Sequence, residues 1–220
     1  MESVYVLKNI LDADAVDSIL STLREEDFRD GRDTAAGMAR AVKHNEQIEI
    51  ARLPGVVDLL TAKVAQNTAF RNVAMPRHVS NIIVSRYRPG MSYGLHTDNA
   101  VLRSGHRADI SFTLFLSDPD SYEGGELCLV TAFGEQRVKL PAGSLVLYPT
   151  GMLHRVDEVS AGERIAVVGW VQSRVRDPRH REILIDLDRV RVEYLKNAGH
   201  DHAADLLLKT STNLRRMWDE

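Results

Sequence analysis

Three side chains in this sequence have the types and spacing to hold a metal ion. His96 and Asp98 stand two apart in "YGLHTDNAV", just after a Gly-containing turn, and His154 follows a Pro-Thr-Gly turn in "YPTGMLHRV". On a strand, residues i and i+2 point to the same face, so an imidazole nitrogen and a carboxylate oxygen could reach one ion. Two histidines and one carboxylate form a facial triad that suits Fe(II) and leaves coordination positions open, as O₂ activation requires. A zinc site would more often show cysteines or a third histidine. Arg164 follows ten residues after His154, in the next strand-like segment.

A histidine with an acid two residues on is a weak signal alone, and the chain holds rivals. His44 with Glu46 precedes the alternating "QIEIARL". His180 with Glu182 falls in the first turn of a helical pattern, where i and i+2 diverge. His200 and His202 sit in a polar turn. All three pairs read as solvated surface. His78 and His106 read as strand-start or loop residues with no partner nearby in sequence, although His106 could lie over a site mouth.

The elements that must position the triad follow from the changing hydrophobic period. "VYVLKNI" reads as a short strand, and "DADAVDSILSTLREE" as a helix capped by Asp12 or Asp14. "DFRDGRDTAAG" reads as loop, and "VVDLLTAKVAQNTAF" as a second helix ending between Arg71 and Pro76. From Val79 the segments "VSNIIVSRY", "ADISFTLFLS", "GELCLVTAF", "QRVKL", "SLVLYP" and "RIAVVGWVQS" are short, β-branched and separated by turn residues. Such a run predicts an antiparallel sandwich or barrel, whose strand ends could bring His96, Asp98 and His154 to one mouth. Gly124 and Gly125 in "EGGEL" suit a positive-φ turn.

The tail turns helical again. Asp177 caps it, Pro178 is a favourable first residue, and Gly199 is placed to stop it. Ile183, Leu187, Val190 and Tyr194 trace one face. Leu207, Thr210, Leu214 and Met217 suggest a second helix ending at Trp218. Three regions result: 1–77 packing on the core, a β core over 78–174, and a helical extension over 175–220.

Composition narrows the class. The formal net charge of −3 offers no basic face for nucleic acid, and no Lys/Arg cluster suggests a membrane surface. No apolar run is long enough to span a bilayer. The N-terminus shows no basic segment leading into an apolar one, so no secretory signal is expected. Cys128 is the only cysteine, which excludes an internal disulfide and fits a reducing cytoplasm. It reads as a buried thiol.

The run "RYRPGMSYGLHTD", the strand "ISFTLFLSD", the "YEGGEL" turn and "YPTGMLHRVDEVSAGERIAVVGWVQS" together resemble the Fe(II)/2-oxoglutarate dioxygenases. Within these the chain is most similar to the prolyl-4-hydroxylase-like branch, and there to the bacterial PKHD-type hydroxylases. The resemblance implies a double-stranded β-helix, or jelly roll, as a mainly β core with N-terminal helices and a C-terminal helical extension. It implies Fe(II) held by His96, Asp98 and His154, with 2-oxoglutarate as cosubstrate, O₂ as oxidant and L-ascorbate as a supportive reductant. Arg164 matches the residue that meets the far carboxylate of 2-oxoglutarate, Tyr87 a tyrosine that hydrogen-bonds this cosubstrate, and Tyr93 a position near the substrate entrance. For both tyrosines core filling is the alternative. Thr97 and Asn99 would either hydrogen-bond the ligands or face solvent, and Trp170 reads as core.

The expected reaction is hydroxylation of an unactivated C–H bond with release of succinate and CO₂. Asp98 favours this over halogenation, because no position is left for a halide. A small molecule or a protein side chain would serve as substrate, and the resemblance carries an association with bacterial iron uptake. Two other readings remain: a cupin-like dioxygenase without 2-oxoglutarate, and a non-enzymatic iron- or ligand-binding jelly roll. Most of the tail's apolar area should bury within the subunit, with some left for a homo-oligomer.

Overall fold

In the computed structural model, residues 4–35 and 37–220 are described. Antiparallel pairing organises the core into two facing sheets. The larger has seven strands in the order Tyr5–Leu7, Leu145–Pro149, Ile110–Phe115, Arg164–Ser173, Pro76–Tyr87, Glu46–Glu49 and Arg29–Asp30. The smaller has five, in the order Gly134–Val138, Leu127–Thr131, His154–Val156, Ser92–His96 and Lys43–His44. The run of short β-branched segments read from the sequence thus becomes the jelly roll, and "RIAVVGWVQS" forms the long central strand over the residues read for it.

Two apolar layers hold the sheets. Tyr87, Phe115, Leu127, Leu129, Val146, Tyr148, Met152 and Val156 fill the space between them. The outer face of the larger sheet buries Phe112, Leu114, Leu147 and Val167 against Val16, Ile19, Leu60 and Phe70 of the N-terminal helices. Period-2 geometry serves both layers from one strand: on Pro76–Tyr87, Tyr87 faces inward while Arg86 points out. Arg86 there lies over the Phe28 ring and meets Glu25 and Glu46.

The N-terminal region does more than pack. Lys43–His44 adds a strand to the smaller sheet and Glu46–Glu49 one to the larger, so the chain crosses the open end between them. The first helix covers Ala13–Thr22 and so ends before the Glu26 read for it, and a 3₁₀ turn, Glu25–Asp27, follows. The stretch read as loop then holds the short strand Arg29–Asp30 and a second 3₁₀ turn, Gly31–Thr34. Ala36, within that stretch, lies outside the described residues. Asp12, not Asp14, caps the first helix by accepting from Ala15 N at 2.9 Å. The second expected helix is divided: Pro54–Leu60 runs into a π turn, Thr61–Ala65, and a new helix covers Thr68–Ala74. Asn67 causes the restart, because its side chain accepts from Phe70 N at 3.1 Å and satisfies an end donor.

The tail forms helices Pro178–Ala198 and His202–Trp218, with Asp177, Pro178 and Gly199 in the roles read for them. Its buried face differs from the one read. Ile183 and Val190 are 44% and 51% exposed, whereas Leu184 is fully buried against Met75 and Val175. Met217 is 73% exposed and Ala204 and Ser211 are buried instead. The phase shifts because polar residues join the inner stripe: Arg181 is buried, donating to the carbonyls of Val175 and Arg176 at 2.8 Å. Among the described residues, no helix is long and apolar enough to cross a membrane.

Candidate active site

His96 is the last residue of its strand and His154 the first of the neighbouring one, and the two are direct cross-strand partners. Their rings lie 4.3 Å apart. Asp98 lies beyond the strand end, so strand alternation does not place it. Two donors do: Ser111 Oγ at 2.8 Å and Trp170 Nε1 at 2.9 Å, both to Asp98 Oδ2. Asp98 Oδ1 is then 3.7 Å from His96 Nε2, and Oδ2 is 3.8 Å from His154 Nε2. The three ligand atoms all fall within 4.8 Å of one another.

The tautomers follow from the other ring nitrogens. His96 Nδ1 lies 2.7 Å from the Gly94 carbonyl and His154 Nδ1 2.9 Å from that of Met152. A carbonyl only accepts, so each Nδ1 carries a proton and each Nε2 is the nitrogen left to face Asp98 and a metal ion. His96 Nε2 is buried with no hydrogen-bond partner. Burial, and then the neighbouring His154, hold the His96 pKa well below the ordinary histidine range, which keeps the ring in its metal-binding form.

Arg164 opens the central strand and pairs in register with Tyr87. It is 1% exposed, its guanidinium lies 5.2 Å from the Tyr87 ring and 5.4 Å from Phe115, and its Nε has no hydrogen-bond partner. No carboxylate among the described residues comes within ion-pair distance of it. A buried cation in this condition is costly unless a ligand brings the counter-charge. Gly125 gives it room: at φ 67°, an added Cβ would stand 2.9 Å from Val159 Cγ2 and 3.0 Å from Arg164 Cδ. Gly125 of "EGGEL" therefore serves the site as well as the turn, whereas Gly124 packs on the Glu158 backbone.

Tyr87 is buried, and that burial pushes its hydroxyl up to about 12 against the pull of Arg164. Tyr93 stacks on His96 with ring centroids 3.6 Å apart and planes 16° apart, packing against the imidazole. His96, Asp98, His154, Arg164 and both tyrosines line one cavity of about 490 Å³. Thr97 and Asn99 line it as exposed residues, while Ser111 and Trp170 supply the hydrogen bonds to Asp98. Trp170, read as core, is thus a positioning residue. Its signal was present, because an indole N–H in a largely buried setting usually finds a partner. Lys43, Gln47 and Ser85, which sequence reasoning did not single out, also line the cavity.

The rival histidines fall elsewhere. His180 stacks on Trp218 at 4.1 Å, His200 Nε2 lies 3.0 Å from Asp205, and His44 Nδ1 lies 3.2 Å from the Gly90 carbonyl. His78 and His106, without partners in sequence, find each other in space as rings stacked at 4.2 Å. None of the five lines the cavity. The donor set of two imidazoles and one carboxylate, with a buried orphan Nε2 among them, fits a six-coordinate divalent metal with open positions. The Arg164 guanidinium in the same cavity, with its Nε unpartnered and no carboxylate beside it among the described residues, fits an acidic cosubstrate.

Residues 82–172 match the model of the 2OG-Fe(II) oxygenase superfamily. A PKHD-type hydroxylase of Synechococcus elongatus is 46% identical over 99% of this chain and 100% of its own. A PKHD-type hydroxylase of Maricaulis maris is 47% identical over 97% of this chain and 98% of its own. Among solved structures, a Pseudomonas putida prolyl-4-hydroxylase is similar with a TM-score of 0.55, at 20% identity over 79% of this chain and 94% of that one. At that identity the likeness establishes the shared fold.

Proposed function

Because this chain belongs to the PKHD-type hydroxylases of the 2OG-Fe(II) oxygenase superfamily, we propose that it hydroxylates an unactivated C–H bond, holding Fe(II) through His96, Asp98 and His154. The protein is a 2-oxoglutarate-dependent dioxygenase, so 2-oxoglutarate and O₂ are consumed and succinate and CO₂ released. The convergence of two Nε2 atoms and the Asp98 carboxylate within 4.8 Å carries this residue assignment. Bound Fe(II) supplies O₂ activation and the redox chemistry, and the protein supplies orientation and exclusion of water.

Each residue has a defined task. The Gly94 and Met152 carbonyls fix the imidazole tautomers, and Ser111 and Trp170 hold the Asp98 carboxylate in place. Arg164 takes the far carboxylate of 2-oxoglutarate, for which a planar guanidinium can offer two parallel hydrogen bonds. Tyr87, protonated across the physiological range, donates its hydroxyl to the same cosubstrate. Tyr93 packs on His96 and borders the substrate's side of the cavity. With a carboxylate at position 98, no site is left for a halide, and hydroxylation is the outcome. L-ascorbate supports turnover by keeping the metal ferrous. A dioxygenase without 2-oxoglutarate is disfavoured by the buried Arg164, which has no carboxylate partner among the described residues.

The test replaces His96, Asp98 and His154 singly with Ala and measures anaerobic Fe(II) binding together with succinate formation. Each variant loses most metal affinity and all turnover, while His44→Ala, His180→Ala and His200→Ala retain both. Full activity in any of the three ligand variants overturns the assignment.

A further inference from the structure

Lys43 is a charged side chain whose position the metal and cosubstrate do not explain. It is 7% exposed and lines the same cavity as the triad. Its strand partner is Tyr93, and its Nζ lies 4.9 Å from the centroid of that ring, whose other neighbour is His96. One aromatic ring therefore separates the ammonium from a metal ligand. An ammonium carries three donors. One reaches Thr34 Oγ1 at 2.9 Å and one Gln47 Oε1 at 3.3 Å. Both acceptors are neutral, and among the described residues Lys43 has no acid within ion-pair distance and no third acceptor.

These neighbours are themselves tied down. Thr34 Oγ1 lies 2.6 Å from Gln47 Oε1, and Gln47 Nε2 donates to Ser85 Oγ at 3.0 Å. Thr34, Gln47 and Ser85 all line the cavity with Lys43. The chain crosses from the smaller to the larger sheet between Lys43 and Gln47, so this polar chain spans the open end of the core. Burial pushes the ammonium down to about 8, which still leaves it protonated at neutral pH.

Charge counting gives the ligand's sign. Filled as the proposed function requires, the cavity holds the ferrous dication, the 2-oxoglutarate dianion, Asp98, Arg164 and Lys43. That set keeps one surplus positive charge, and it sits on Lys43. Glu49 and Arg103, the other charged residues lining the cavity, are exposed and opposite in sign. A buried charge is stable when paired, so the missing partner is a monoanion that enters with the substrate.

Resting on that reading of the site, we propose that the substrate bears a carboxylate that docks on Lys43, supported by Thr34 and Gln47, beside Tyr93. The anchored end then lies one ring away from the metal ligands, and the carbon to be hydroxylated lies on the near side of that ring. A carboxylate suits a single ammonium with one spare donor, whereas a phosphate dianion would call for more cationic donors than this end of the cavity provides.

Binding separates this proposal from the chemistry. The full chain is loaded with Zn(II) in place of Fe(II) to prevent turnover, and with saturating 2-oxoglutarate so that Arg164 is occupied. Benzoate, benzamide and phenyl phosphate are then titrated by ligand-observed NMR. The wild type binds benzoate at least about tenfold more tightly than benzamide, the margin that one charge-assisted hydrogen bond provides. Lys43→Gln, which retains hydrogen-bonding capacity, binds the two equally, and Lys43→Arg keeps the preference. Unchanged 2-oxoglutarate affinity in both variants shows that the fold is intact. Equal binding of benzoate and benzamide to the wild type overturns the proposal, as does a preference that survives in Lys43→Gln. Tighter, Lys43-dependent binding of phenyl phosphate replaces carboxylate by phosphate. Failure of 2-oxoglutarate to bind the wild type at all instead overturns the function proposed above.

Discussion

Trp170 Nε1 donates to Asp98 Oδ2 at 2.9 Å, across 72 residues of sequence. The indole thereby orients a carboxylate that no strand holds, together with Ser111 Oγ at 2.8 Å. Groups that hydrogen-bond a metal ligand typically contribute ~10–100-fold to metal affinity. Trp170→Phe keeps the ring's bulk and removes the donor, so anaerobic Fe(II) titration should show about a tenfold weaker site. Ser111→Ala should act in the same direction, and the double variant should lose more than either. Unchanged affinity in Trp170→Phe would mean that Asp98 is positioned without it.

The contrast between Asp98 and its supports shows what the sequence made readable. His96, Asp98, His154 and Arg164 could be picked out because few residue types bind metals or pair with carboxylates, and each follows or opens a strand pattern. Asp98 was placed for the wrong reason, since the strand ends at His96 and tertiary hydrogen bonds do the positioning. Ser111 and Lys43 were not found, because their partners come from other strands and no local pattern encodes such contacts; Trp170 was read as core, and its indole N–H signalled a partner without saying which. In the tail the hydrophobic period was right and its phase wrong. Arg181 is buried, and counting apolar residues alone gives such a residue no weight.

That phase error can be tested directly. Leu184 is fully buried against Met75 and Val175, with Leu214 and Trp218 packed around them. Leu184→Ala should cost about 2–3 kcal/mol in urea unfolding, within the usual range for a buried leucine. Ile183→Ala, one residue away and 44% exposed, should change stability by less than ~0.5 kcal/mol. A larger loss at Ile183 than at Leu184 would restore the face read from the sequence.

Tyr87 gives a pH signature. Its hydroxyl ionises near ~10 in an unfolded chain and at about 12 in this fold, so the folded state holds the proton more tightly. The stability tied to this group is complete below pH ~10 and is lost as pH rises from there through about 12. Tyr87→Phe should therefore show a smaller alkaline fall in melting temperature than the wild type between pH 8 and 11. The same variant should raise the KM for 2-oxoglutarate about tenfold by removing a hydrogen bond to a charged ligand. Because the phenol stays protonated, that factor should be constant from pH 6 to 9. A factor that changes over this range would show that another group near the cosubstrate titrates.

Arg164 separates cosubstrate binding from metal binding. Its side chain is almost completely enclosed, its Nε is unpaired, and Gly125 leaves it just enough space. Removing one partner of a buried charge pair costs ~3–5 kcal/mol, because the other charge stays desolvated and alone. At ~1.4 kcal/mol per decade, this is two or more orders of magnitude in affinity. Arg164→Leu should therefore no longer saturate with 2-oxoglutarate at ordinary concentrations, while Fe(II) binding stays close to wild type. Arg164→Lys should recover part of the affinity, since it keeps the charge and loses the fork. Gly125→Ala should produce a milder form of the same defect, as its Cβ would press on Arg164 Cδ at a backbone angle that disfavours a side chain. The measurement is paired: metal binding and succinate release, each against 2-oxoglutarate concentration. If Arg164→Leu keeps its 2-oxoglutarate dependence, the far carboxylate is bound by another residue and Lys43, the other buried cation of the cavity, becomes the candidate.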